Sequence, residues 1–205
     1  ALCAAASVCE AAAKSVDIVR GGKPLAVIVI GKQVSKWTPP KNVHERRKRG
    51  YEWEADELST ARELVEHVKL ITDAELEIVG PEADLAGRLP IYVGEAAGQA
   101  LLERVKQTSA RFGSFALVVS PTEIRIRGLT SHDTRFGVSE LLEQIGVRWY
   151  MPGEIGRVLP EKTADLAVKV QDKVHVPSFA NRHLQAIRNP QWERRLRTGG
   201  IHFPP

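Results

Sequence analysis

The residues of this chain that come nearest to chemistry lie in Trp149-Tyr150-Met151-Pro152-Gly153-Glu154. A carboxyl group held against indole and phenol rings is desolvated, and desolvation raises its pKa toward the range a general acid needs. Cleavage of a glycosidic bond is a reaction that such an acid serves, but it calls for two carboxyl groups across the scissile bond. The sequence gives no reason to bring a second one to Glu154. The architectural reading therefore comes first. Glu154 answers a backbone N–H or an arginine in a structured corner, Pro152 and Gly153 make the turn, and Trp149 and Tyr150 pack, each with a polar handle.

Other chemistries find less support. The histidines at 44, 67, 132, 175, 183 and 202 show neither i,i+4 pairing nor a carboxylate at ligand spacing, so no metal site is expected. There is no Gly-x-Ser-x-Gly. "VIVIGKQVSKWTPP" lacks the later glycines of a dinucleotide-binding turn and runs into prolines, so no cofactor is expected. The pI near 9.2 reflects two basic stretches, "KNVHERRKRG" at 41–50 and "RNPQWERRLR" at 188–197. Without a recognition motif these read as solvated loops, and no nucleic acid is expected.

The first residues, "ALCAAASVCEAAA", resemble the end of a leader. Ala11-Ala12-Ala13 fits the small-residue pattern before a signal-peptidase cut, so residues 1–13 are expected to be a signal-peptide remnant and the protein to be secreted or periplasmic. Both cysteines, Cys3 and Cys9, fall in this stretch, which leaves the remainder no disulfide framework. A structured alanine-rich helix is the competing reading. No stretch is long and apolar enough for a transmembrane span.

The elements that position the aromatic corner follow from periodicity. Val16 to Ile30 reads as a hairpin turning at Gly21-Gly22 and feeding a sheet interior. Residues 54–72 place Leu58, Ala61, Leu64, Val65, Val68 and Ile71 on one helical face, with Glu57, Glu63 and Glu66 turned elsewhere. "AELEIV" and "LPIYVG" read as strands, Ala96 to Lys106 as a helix, and "FALVVSPTEIRIRG" as a hairpin with Ile124 and Ile126 inward. A helix capped by Ser131 or Asp133 carries Val138, Leu141, Leu142 and Ile145 on its buried stripe and stops at Gly146. "VRWY" is a short strand, and "VLPEKTADLAVKV" adds another. The fold class is α+β: an α/β sandwich of mixed sheet with helices on one face.

"IRIRGLTSHDTRFGVSELLEQIGVRWYMPGEIGRVLPEKTADLAV", together with "PLAVIVIG", "IYVGEAAGQ" and "FALVVSPTEI", resembles the non-catalytic N-terminal domain shared by α-glucuronidases and β-N-acetylhexosaminidases, over roughly residues 16–172. The resemblance implies an accessory domain over 14–176, with Trp149, Tyr150, Pro152, Gly153 and Glu154 as a structural corner toward the next domain. It also implies that 177–205 opens a (β/α) catalytic barrel. The catalytic carboxylates would lie in that barrel and none in this chain. By the same resemblance Arg182 and His183, just after a first barrel strand in "PSFANRHLQ", are candidate sugar-binding residues, with Trp192 as a stacking residue. The implied partner is a carbohydrate, the parent a glycoside hydrolase of polysaccharide degradation. A glycan-binding module using Trp149 and Tyr150 is the alternative.

Overall fold

The computed structural model describes residues 15–31, 57–182 and 189–198. The expected leader, residues 1–13, and the basic run at 41–50 lie outside them. β1 (Ser15–Arg20) turns at Gly21 and Gly22 into β2 (Lys23–Pro24). Both glycines have positive φ, 58° and 71°, a conformation open to residues without Cβ. The hairpin's second strand runs on through Leu25 into the main sheet, as expected, but its first strand does not join that sheet. β1 pairs antiparallel with β2 and with β10 (Leu166–Lys169), making a separate three-stranded sheet. Periodicity shows that a segment is extended; it does not say which neighbour it pairs with.

The chain enters the six-stranded main sheet at β3 (Ala26–Val29), all four of whose residues are buried. There follow α1 (Glu57–Thr72), β4 (Ile78–Val79), β5 (Leu89–Val93) and a 3₁₀ turn (Gly94–Ala97). Next come α2 (Gln99–Thr108), β6 (Phe115–Val119), β7 (Ile124–Gly128) and α3 (Ser131–Gln144). The expected helix from Ala96 is thus interrupted at Gly98, whose φ of 93° ends the 3₁₀ turn before α2 begins. β8 (Arg148–Trp149), β9 (Arg157–Val158) and β11 (Gln171–His175) complete the strands.

The main sheet runs in the order β11-β6-β7-β5-β3-β4. β4, β3, β5 and β7 are parallel, whereas β6 and β11 are antiparallel to their neighbours. The class is α+β with mixed sheet, as expected. The helices, though, occupy both faces. Along β6, Phe115, Leu117 and Val119 join α1 and α3 in the larger core, while Ala116 and Val118 face Leu101 and Val105 of α2. Strand alternation requires that division.

α3 is anchored at its start by a capping box. Thr130 caps it by accepting from the Asp133 amide, and Asp133 accepts from Thr130 N in return. Asp133 therefore fills the third helical position of the capping box, and the cap is neither Ser131 nor Asp133. Val138, Leu141, Leu142 and Ile145 are all buried. Gly137 permits close packing on β7, since a Cβ there would stand 2.5 Å from Ile126 Cγ2. Gly146, with φ 103°, follows the helix as expected. Beyond β11, the described part of the stretch expected to open a barrel contains an isolated bridge at Arg182 and one helix, α4 (Pro190–Arg195). Among the described residues no helix is long and apolar enough to cross a membrane.

Candidate functional site

The aromatic corner is a two-stranded ribbon, β8 against β9, closed by Tyr150 N donating to Gly156 O at 2.9 Å. Neighbouring side chains on it point opposite ways. Trp149 is 5% exposed and Tyr150 68%. His67 meets the Trp149 ring edge-on at 5.6 Å, and the Arg195 guanidinium sits 5.2 Å from its centroid. Trp149 thus has no free face for a sugar, and its Nε1, the expected polar handle, has no hydrogen-bond partner. Pro152 and Gly153 are exposed in the turn. Glu154 is also exposed and pairs with Arg157, whose Nη1 reaches Glu66 at 2.7 Å. The carboxylate answers an arginine.

Beneath this corner is a charge cluster that the sequence pattern placed on the wrong face. Glu63 on α1 is 5% exposed; it accepts from Arg135 Nη2 of α3 at 2.6 Å and from Arg195 Nε of α4 at 2.7 Å. Burial by itself would raise the Glu63 pKa, but the two guanidiniums outweigh it and hold the carboxyl below its ordinary value. His67 Nδ1 donates to Glu63 O at 2.7 Å, and its Nε2 is buried without a partner. Desolvation lowers the His67 pKa and favours the neutral ring.

The same cluster holds the stretch after the main sheet. Trp192 Nε1 donates to Trp149 O at 3.2 Å, and Arg197 Nη2 binds Glu140 at 2.8 Å and Glu143 at 2.5 Å. Trp192 is partly buried against the core and is a packing residue at this position. Within the basic run 188–197, Arg195 and Arg197 are consumed by internal ion pairs.

Arg182 lies in another part of this junction. Its Nε donates to Arg197 O at 2.9 Å, Nη1 to Phe179 O at 2.7 Å and Nη2 to Phe112 O at 3.4 Å. Gly113 makes room for it, since a Cβ there would stand 2.4 Å from Arg182 Nη2. Arg182 ties three chain segments together and lines a cleft of about 340 Å³ with Phe115, His175, Phe179, Leu196 and Arg197. His183 lies outside the described residues. The structure therefore separates the two described sugar-binding candidates: Arg182 is on the cleft, Trp192 on the corner.

A further carboxyl was missed. Glu57 opens α1 and turns its side chain over the ends of β3 and β5, strands followed by helices α1 and α2 on opposite faces of the sheet. Open parallel sheets form a crevice at such a point. Its Oε1 accepts from Glu95 N at 2.6 Å and lies 3.7 Å from Arg127 Nη1. Gly94, with φ 65°, leaves the space, because a Cβ there would be 1.8 Å from Glu57 Oε1. Burial raises the Glu57 pKa. Gly94 ending a strand run was the one local signal that a side chain from elsewhere crosses here. Among the described residues no group of three or more His, Cys, Asp or Glu could hold a metal ion.

No family model and no curated protein matches the chain. Solved structures do. The chain is similar to BtGH115A, a family GH115 4-O-methyl-α-glucuronidase with specificity for decorated arabinogalactans: TM-score 0.49, 17% identity, 82% of this chain and 19% of that one covered. It is similar to a GH20 exo-β-N-acetylglucosaminidase from Vibrio harveyi, with TM-score 0.41, 14% identity and coverage of 83% and 18%. CpGH84D matches with TM-score 0.36, 11% identity and coverage of 78% and 21%. The chain spans about a fifth of the length of each of these structures.

Proposed function

We propose that this chain is the non-catalytic accessory domain, residues 14–176, of a secreted or periplasmic glycosidase-type enzyme whose catalytic carboxylates lie in a following barrel. In that reading residues 1–13 are the end of a signal peptide and 177–205 the passage into the barrel. The observation that carries it is the docking of 189–198 onto the domain. Glu63 neutralises Arg195 in a buried pair while Trp192 Nε1 donates to the Trp149 carbonyl, which ties residues 189–198 to the domain. An accessory domain that orients a neighbour needs such a tie, whereas a hydrolase needs two opposed carboxylates. Glu154, the acid the sequence offered, is spent on Arg157.

Incubation of the purified chain with aryl glucuronides and aryl N-acetylhexosaminides is the test. No turnover is expected, and turnover that survives further purification overturns the proposal. The reading frame beyond Pro205 is the companion test. Several hundred residues of alternating strands and helices support the barrel; a stop codon there refutes it.

A further inference from the structure

Two ion-paired arginines hold residues 189–198 on the domain, and a histidine stands beside each. At the first anchor, Arg195 Nε binds Glu63 at 2.7 Å and its guanidinium lies over the Trp149 ring, which His67 meets edge-on at 5.6 Å. At the second, Arg197 Nη2 binds Glu140 and Glu143, and His175 lines the same cleft as Arg197 and Glu140. Both imidazoles have a buried Nε2 without a hydrogen-bond partner. His67 spends its Nδ1 on Glu63 O, and His175 lies flat on Phe115 with centroids 4.6 Å apart. Neither Nε2 therefore has an acceptor in place for a second proton on the ring.

The charges around the two rings couple protonation to docking. Facing His67 are Glu63 and Glu66 of α1 and Arg195 of α4, while Arg135 of α3 and Arg157 of β9 reach the site through those carboxylates. Trp149 of β8 brings no charge. Facing His175 are Glu140 of α3, Lys173 of its own strand and Arg197, with Arg182 on the same cleft. Phe115 of β6 brings none. For both rings burial is the main cause of a lowered pKa; an arginine of the docked segment adds to it, and the carboxylate that this arginine occupies pulls the other way. Lifting the segment removes the repelling guanidinium and leaves the carboxylate to attract the imidazolium. Linkage is reciprocal, so a proton that docking disfavours disfavours docking. The undocked rings take up protons near pH 6.5 and the docked rings resist them; docking is therefore strongest above about pH 6.5 and weakens as pH falls. α4 has six residues and is tied by these two ion pairs and by the hydrogen bonds of Trp192 to Trp149 O and of Arg182 to Arg197 O. α1 and α3 bury whole stripes of side chains, so the short segment is the part that gives way.

We propose that His67 and His175 make the docking of residues 189–198 an acid-sensitive latch: a proton taken up by either ring loosens the arginine beside it, and the segment comes away while the sheet and α1 to α3 stay folded. The latch rests on the docking that supports the accessory-domain reading and adds a means of regulating it.

The test is hydrogen exchange of the full chain at about pH 7.5 and about pH 5.5, with each rate divided by that of an unfolded chain at the same pH. The Trp192 indole proton, bonded to Trp149 O, and the Leu196 amide, bonded to Trp192 O, report docking; the amides of Val138, Leu141 and Leu142 report the core. Protection of the docking reporters is expected to fall about tenfold or more on acidification, and that of the core to fall less. His67→Asn combined with His175→Phe, which keeps an aromatic ring on Phe115, should hold the docking reporters near their neutral-pH protection. Should the double variant fail to fold, imidazole titration followed by magnetic resonance decides: in Arg195→Met, His67 should titrate at a higher pH than in the parent. The proposal is overturned if the docking reporters are unprotected at about pH 7.5 or keep their protection at about pH 5.5. It is equally overturned if they lose protection together with the core, if the double variant loses it as the parent does, or if Arg195→Met leaves the His67 titration where it was. The accessory-domain reading is judged separately, by turnover and by the reading frame.

Discussion

Arg195 Nε lies 2.7 Å from Glu63 Oε1 with the two side chains 7% and 5% exposed, joining α4 to α1 across 132 residues of sequence. A buried charge of this kind persists only while its partners hold it, because each ion has given up its hydration. The pair is shared with Arg135, so α1, α3 and α4 meet at one carboxylate.

Glu63→Gln leaves two guanidiniums buried without their counter-charge and should destabilise the fold by about 3–5 kcal/mol. Arg195→Met removes one cation and fills its place with apolar atoms, while Arg135 still neutralises Glu63. A smaller loss, about 2 kcal/mol, is expected. Urea unfolding of both variants checks the order; a larger loss for Arg195→Met would contradict it.

The two aromatics of the corner should behave oppositely. Trp149→Ala opens a core cavity and should cost about 3–5 kcal/mol, whereas Tyr150→Ala, at an exposed position, should stay within about 0.5 kcal/mol. Equal effects in thermal unfolding would mean that Trp149 and Tyr150 do not differ in burial as the corner places them.

Two sites on α3 report on its anchoring. Thr130→Ala removes the cap and should cost about 1–2 kcal/mol. Gly137→Ala forces a methyl group onto Ile126 and should cost about 1–3 kcal/mol. Denaturant midpoints for both variants measure these losses, and a neutral Gly137→Ala would show that α3 can move off the sheet.

Acid should destabilise the protein before any carboxylate in the ordinary range titrates. His67, His132 and His175 all have pKa values lowered chiefly by burial. The unfolded chain takes up these protons near pH 6.5 and the folded chain resists them, so their contribution is complete above about pH 6.5 and is lost as pH falls. Glu63, also lowered, adds a further loss at lower pH. Glu57 and Asp133 are raised by burial and act in the opposite direction, their contribution being lost as pH rises through their folded values. Stability measured from pH 8 to 5 should therefore fall toward acid, and His67→Asn should flatten the curve. An unchanged slope in that variant would remove His67 from the account.

Much of the fold was legible locally. The stripe from Val138 to Ile145, the hairpin between Phe115 and Gly128 and the stop at Gly146 each follow from spacing within one segment, because period 3.6, period 2 and glycine's left-handed freedom are short-range properties. The site was less legible. Glu63 occupies a position that spacing assigns to solvent, and its burial depends on Arg195, which arrives long after α1 is complete. The resemblance makes Arg182 a candidate sugar ligand, while its donors are engaged with the carbonyls of Phe112, Phe179 and Arg197, two of which lie at a distance along the chain.

The amino-acid order by itself determined most of the extended and helical segments and the turns that separate them, since each rests on backbone preference and on neighbours within a few residues. Only the tertiary structure decided that β1 leaves the main sheet for β10, that α2 lies on the face opposite α1 and α3, and which charges are buried. Those outcomes depend on which surfaces meet, and the desolvation of a carboxylate can be offset only by cations that the folded chain delivers from far along the sequence.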